Sequence, residues 1–282
     1  MRRMLPTDPG IQILLESQRP VGKLRGNIVL VHGLEGSGEA GYIESLAGAA
    51  LDAGYAAHRF HMRTCGGTEQ HSNTLYHAGL TSDLLAALRF LATENSAPSF
   101  LAGFSLGGNV VLKLAGELGH SAPALICGVC GVSTPLDLEA CSQRIEALEN
   151  RLYQYRFVRR MRARLSATGR YRAADFAGLR TVRDIDDRIT APSFGFGTAA
   201  NYYRTQSAID FLQAIRVPTL LIQSKDDPLV PFAIFERLPR NPFVELIATP
   251  HGGHLGFLGQ RPHRFWLDET VLSWVAERAR AC

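Results

Sequence analysis

Ser105 lies in the run Gly103-Phe104-Ser105-Leu106-Gly107, a Gly-x-Ser-x-Gly pattern. A serine hydroxyl attacks a carbonyl effectively only when a base takes its proton, so a nucleophilic serine needs a histidine within reach. The flanking glycines have a steric meaning: a serine held in a strained turn needs neighbours without side chains if a strand and a helix are to close around it. The plain alternative is a glycine-rich turn with a bystander serine. Against that, the apolar run Ser99–Phe104 leads straight into the motif, and a helical pattern over about 107–118 follows it. Strand, sharp turn and helix in that order make a nucleophile elbow.

The remaining groups come in two pairs downstream. In chain order the acid and then the base should follow the serine, each on a loop after a strand. His251-Gly252-Gly253-His254 follows the apolar run 243–248, and only one of its histidines can be the base. His254 is preferred, because the flanking glycines and Leu255-Gly256-Phe257 suit a tight loop that aims the ring, and His251 is left as a loop residue. Ser224-Lys225-Asp226-Asp227-Pro228 follows the run 219–223, and of two adjacent carboxylates at most one points at the histidine. Its work is to hold the imidazole tautomer and to stabilise the imidazolium formed during attack.

An oxyanion needs two backbone N–H donors. Leu106, the residue after the nucleophile, is one candidate. Leu34, in the glycine-rich loop His32-Gly33-Leu34-Glu35-Gly36-Ser37-Gly38, is the other. His32 reads as a packing and hydrogen-bonding residue at a strand end. That loop lacks both the Gly-Lys-Ser/Thr ending of a phosphate loop and the spacing of a dinucleotide fingerprint. His58 and His61 lie in a strand pattern and face opposite sides, and no other cluster has metal-ligand spacing. No cofactor and no metal are expected.

The elements that must carry these groups alternate. Strand-like runs at 27–31, 55–62, 99–104, 124–132, 219–223 and 243–248 are separated by helical patterns at 39–53, 81–92, 107–118 and 264–280. Fully apolar strands alternating with helices predict an α/β fold with a mostly parallel sheet covered by helices on both faces. Between about 135 and 214 the rhythm breaks into an Arg- and Tyr-rich, mainly helical segment without a strand. It follows one core strand and precedes another, so it reads as a lid inserted above the active site of a single domain spanning 1–282.

With 46% hydrophobic and 20% charged residues, the 282-residue chain has the composition of a soluble globular protein rather than a disordered one. A net charge of +4 is too small to argue for nucleic acid. Nine arginines between Arg144 and Arg172 face only Glu146 and Glu149, which reads as a solvated helical face or as a basic cap for anionic head groups or acidic substrates. Five scattered cysteines suggest a reducing compartment; Cys127 and Cys130 lie in an apolar run and read as core residues on opposite strand faces. The first residues lack a sustained apolar stretch, and no run approaches the roughly 20 apolar residues of a membrane helix. A cytoplasmic protein with no integral membrane segment is expected.

Taken together the motifs resemble one branch of the α/β-hydrolases, the YheT-like hydrolases of bacteria and their eukaryotic relatives among the α/β-hydrolase domain-containing lipases. The resemblance spans nearly the whole chain. Besides the loops above it rests on Tyr76-His77-Ala78-Gly79, Gly107-Gly108-Asn109, Asp186-Asp187-Arg188-Ile189-Thr190-Ala191 and Tyr202-Tyr203. It implies a triad of Ser105, Asp227 and His254. Asp227 precedes Pro228-Leu229-Val230, where many α/β-hydrolases place the acid, and Asp226 is left to brace the turn. One departure is visible: the family often has Arg-Gly-Cys-Gly where this chain reads Arg63-Thr64-Cys65-Gly66. The resemblance implies a serine carboxylesterase that hydrolyses acyl or lipid esters through an acyl-enzyme. Its rivals are an acyltransferase, in which an alcohol replaces water, and a non-catalytic binding protein on the same scaffold.

Overall fold

The computed structural model describes residues 1–260, 264–280 and 282. Its frame is an eight-stranded sheet in the order β1-β2-β4-β3-β5-β6-β7-β8. The strands are β1 (Arg2–Asp8), β2 (Ile11–Gln18), β3 (Gly26–Val31), β4 (Tyr55–Phe60), β5 (Ser99–Phe104), β6 (Gly128–Val132), β7 (Thr219–Ser224) and β8 (Val244–Thr249). From β4 through β8 every pairing is parallel, and β1 and β2 add an antiparallel edge.

The apolar strands are buried on both faces because successive side chains point to opposite sides. In β3, Ile28 and Leu30 pack with α1 (Gly41–Asp52) and the closing helix, whereas Val29 and Val31 pack with α2 (Ser82–Glu94) and α3 (Leu106–Leu118). The sheet is therefore the middle of three layers.

Between β6 and β7 the chain leaves the sheet. This insertion carries α4 (Leu138–Glu146), α5 (Arg151–Ala167), α6 (Val182–Ile185), a π-helical turn (Asp186–Thr190), α7 (Ala191–Ser193) and α8 (Ala199–Gln206). Val158, Met161, Leu165, Phe176 and Ile185 give it a small core of its own. The 3-10 segment Ala208–Ala214, at its end, packs against α3 with the main core rather than with the insertion. The last helix is α9 (Trp266–Arg278). Among the described residues no helix is long and apolar enough to cross a membrane.

Three features depart from the sequence reading. The β1–β2 hairpin has no counterpart in it, because Pro6 and the charges of β1 break the apolar pattern; both are ordinary on an edge strand, and a register shift falls between Pro6 and Asp8. Strand β6 begins at Gly128 instead of 124, since Pro123 lies in the 3-10 segment Gly119–Ala124. Cys130 is buried, but Cys127 is bonded to Cys282 across 155 residues of sequence. Such bonds persist in oxidising surroundings, so the cysteines no longer argue for a reducing compartment.

Candidate active site

Ser105 is the hinge between β5 and α3. Its φ of 51° is one that L-residues rarely adopt. Such a backbone costs on the order of 1–3 kcal/mol and persists only where the surroundings hold it. Here the Ser105 N–H donates to Val132 O at 2.8 Å. The glycines are obligatory: a Cβ on Gly103 would lie 2.3 Å from Gly107 O, and one on Gly107 would lie 2.2 Å from Val31 O. Any side chain there would push the elbow apart.

The ring of His254 stands over the elbow. Its Nε2 is 3.0 Å from Ser105 Oγ, and its Nδ1 is 3.0 and 3.2 Å from the two oxygens of Asp227. With the ring proton on Nδ1 facing the carboxylate, Nε2 turns its lone pair to the serine hydroxyl. Asp227 is itself anchored: Oδ1 accepts from the N–H groups of Leu229 and Val230 at 2.8 and 3.1 Å, and Oδ2 accepts from Gln223 Nε2 at 3.2 Å. Of the two pairs left by the sequence, Asp226 and His251 meet each other at the surface, 3.1 Å apart. Asp226 also accepts from the Gly253 N–H at 2.8 Å, which braces the turn that carries His254.

The two candidate donor residues, Leu106 and Leu34, line the same cavity. Leu106 opens α3, so its N–H has no intrahelical acceptor. In the loop after β3, the Gly33 N–H donates to the Tyr42 hydroxyl at 3.1 Å and the Glu35 N–H to the Tyr76 hydroxyl at 3.0 Å. The Leu34 N–H between them has no acceptor among the described residues. The sequence offered no sign of these two tyrosines as loop clamps, although Tyr76 falls in one of the family motifs.

The loop is also tied to the insertion. Arg164 of α5 donates from Nε to both Glu35 oxygens at 2.9 Å and from Nη1 to Thr64 Oγ1 at 2.8 Å, and its guanidinium lies over the Tyr76 ring. This explains the departure at Thr64. Its φ is 60°, where glycine would be at ease, and its hydroxyl is spent on Arg164 and on Arg63 O. Asn109 is a second staple: Nδ2 donates to Ala78 O and Gln206 O, and Oδ1 accepts from the Ala208 N–H.

A partly open cavity joins these parts. Ser105, His254, Leu34 and Leu106 line it together with Phe157, Met161, Val182 and Tyr203 of the insertion. Nearby, His32 is fully buried and structural. The Met62 N–H donates to its Nε2, so Nδ1 carries the proton and donates to Gly33 O at 2.8 Å.

Burial holds His32 and His58 at about 4 and His77 at about 3. Below about pH 6.5 the unfolded chain therefore takes up protons that the folded chain refuses, and stability falls as pH drops toward 4. Asp186 acts with the opposite sign, because burial raises its carboxyl to about 6 and its cost to folding is relieved on acidification. Burial lowers His61 as well and raises the Asp268 carboxyl, so four histidines stand against two carboxyls. The urea midpoint is expected to be lower at pH 4.5 than at pH 7; a midpoint that is flat or higher in acid would contradict the buried neutral rings.

Residues 28–268 match the model of the α/β-hydrolase family. The chain belongs to that family. YheT, a proposed esterase of Escherichia coli, is 33% identical over 296 aligned residues that take in the whole chain and 86% of YheT. That likeness places the chain in the YheT-like branch. A monoacylglycerol lipase of Saccharomyces cerevisiae is 27% identical over 88% of the chain, and human phospholipase ABHD3 is 29% identical over 83% of it. The chain spans 58% and 59% of the lengths of these two proteins. Among solved structures, Est1E of Butyrivibrio proteoclasticus superposes with a TM-score of 0.65 at 17% identity, covering 98% of both chains. The esterase Pf2001 of Pyrococcus furiosus gives 0.66 at 18%, covering all of this YheT-like chain and 90% of its own. These two likenesses speak for the fold.

Proposed function

We propose that this chain is a serine carboxylesterase acting on acyl esters, lipid esters included. The observation that carries the reading is the unbroken line from Asp227 through His254 to Ser105, with 3.0 Å at each step, at the wall of a largely apolar cavity. Ser105 Oγ attacks the ester carbonyl while His254 Nε2 takes its proton. The Leu106 and Leu34 N–H groups receive the negative charge that develops on the carbonyl oxygen. His254 returns the proton to the departing alcohol, leaving an acyl-serine. Water, deprotonated by the same ring, then frees the carboxylic acid.

The names of YheT, the yeast lipase and ABHD3 support ester substrates. The outer face of α5 supports a lipid source. Leu152 and Tyr155 are exposed there beside Arg151, Arg156 and Arg159, and no carboxylate pairs with these arginines among the described residues. A surface of this kind suits anionic lipid. The test is an ester panel of graded acyl length, together with one lipid ester presented in vesicles with and without phosphatidylglycerol. Expected are Ser105-dependent release of free acid and faster turnover on the anionic vesicles. Acyl transfer to an added alcohol in preference to water would make it an acyltransferase, and no turnover of any ester would make it a binding protein.

A further inference from the structure

Strand β7 is buried along its whole length, and Gln223 interrupts its apolar run Leu220-Leu221-Ile222 one residue before the strand ends. Such a position buries hydrocarbon at least cost. The Gln223 amide nitrogen instead donates to Ser224 O at 3.1 Å and to Asp227 Oδ2 at 3.2 Å. A carbonyl and a carboxylate only accept, so the amide can face them with its nitrogen alone. Its own Oε1 is then left buried with no donor among the described residues. An orphaned acceptor destabilises the fold, where a methionine or leucine of similar volume would not.

The use of this amide shows in how the two Asp227 oxygens are held. Oδ1 accepts from two backbone N–H groups, those of Leu229 and Val230. Oδ2 is the oxygen nearer to His254 Nδ1, and among the described residues it meets only Gln223 and that ring. With Oδ1 pinned as a pivot, the carboxylate plane could still turn and carry Oδ2 away from the ring. The contact with His254 cannot prevent this, because the ring is what the carboxylate has to orient. Gln223 can. Ser224, pointing to the other face of the strand, donates from Oγ to Gly253 O at 2.7 Å, just before His254. The end of β7 thus grips the acid through one side chain and the turn of the base through the next.

We infer that Gln223 is a positioning residue of the triad, which sets the plane of the Asp227 carboxylate and through it the tautomer and direction of the His254 ring. The inference rests on the esterase reading of Ser105. Gln223 is not among the residues that line the cavity, so its loss should not weaken substrate binding. Acylation and deacylation use the same ring, so the loss should fall on kcat.

The test measures hydrolysis of p-nitrophenyl butyrate above a Ser105→Ala blank, with Gln223→Met and Gln223→Leu each made in the wild type and in Asp227→Asn. In the wild-type background kcat is expected to fall on the order of 10-fold to 100-fold, with KM within about twofold. In the Asp227→Asn background the same substitutions are expected to change kcat less than about twofold, because the carboxylate through which Gln223 acts is already gone. A purely structural Gln223 would cost the same factor in both backgrounds. Equal factors, a loss carried by KM, an unchanged kcat in the wild-type background, or collapse of the fold in both variants overturns the role. In each of those cases Ser105-dependent hydrolysis by the wild type persists and the esterase reading stands. Its absence from the wild type overturns that reading and the role of Gln223 with it.

Discussion

Ser105→Ala is expected to lower kcat for a short-chain ester by on the order of 10⁴–10⁶, while the thermal midpoint and circular dichroism stay those of the wild type. The size follows from the geometry. Without the hydroxyl no acyl-serine can form, and His254, oriented by Asp227, is left with water alone to activate. The residual rate would come from the Leu34 and Leu106 donors and from binding alone. Folding is spared because the Oγ has His254 as its partner, and alanine leaves the Ser105 N–H free to donate to Val132 O. Retained turnover in this variant, measured against a mock-purified blank, would sink the nucleophile.

Arg164→Met is expected to cost about 3–5 kcal/mol of folding stability, the range typical for removing one partner of a buried ion pair. The Arg164 and Glu35 side chains are 9% and 3% exposed, so water cannot replace the lost contacts. The variant leaves Glu35 uncompensated beside Leu34 and takes the donor from Thr64, whose positive φ it helps to hold. Disturbing the Leu34 N–H should lower kcat by on the order of 10² as well. The combined variant Glu35→Gln with Arg164→Met removes the stranded charge and should recover much of the stability. Urea unfolding of the three proteins checks this; an Arg164→Met midpoint within error of wild type would show that the pair does not bind the insertion to the loop.

The elbow that carries Ser105 was legible because its signal is local: glycines at fixed offsets, a strand before and a helix after. The Asp226/Asp227 and His251/His254 pairs were legible only as pairs. Neighbouring residues share composition and loop, and what separates them is the direction in which the chain leaves β7 and β8. That direction buries Asp227 against three donors and leaves Asp226 and His251 at the surface. The parallel sheet could be read from its doubly buried strands, whereas β1 could not, because an edge strand with Pro6 carries no apolar alternation. Arg164 with Glu35, and Cys127 with Cys282, are contacts between residues more than a hundred positions apart. No local spacing announces such a contact. Thr64 was visible as a departure from the family, but its reason became visible only with the arginine that holds it.

Ser105 is expected to be the activated nucleophile. A fluorophosphonate probe reacts with a serine only where a neighbouring base makes it nucleophilic, so labelling of the native protein followed by peptide mass spectrometry addresses the claim directly. The expected result is one adduct, on the peptide that carries Ser105, absent from Ser105→Ala and lost when the wild type is unfolded before labelling. An ester-hydrolysing wild-type protein that carries no adduct on Ser105, or carries it on another serine, would contradict the claim.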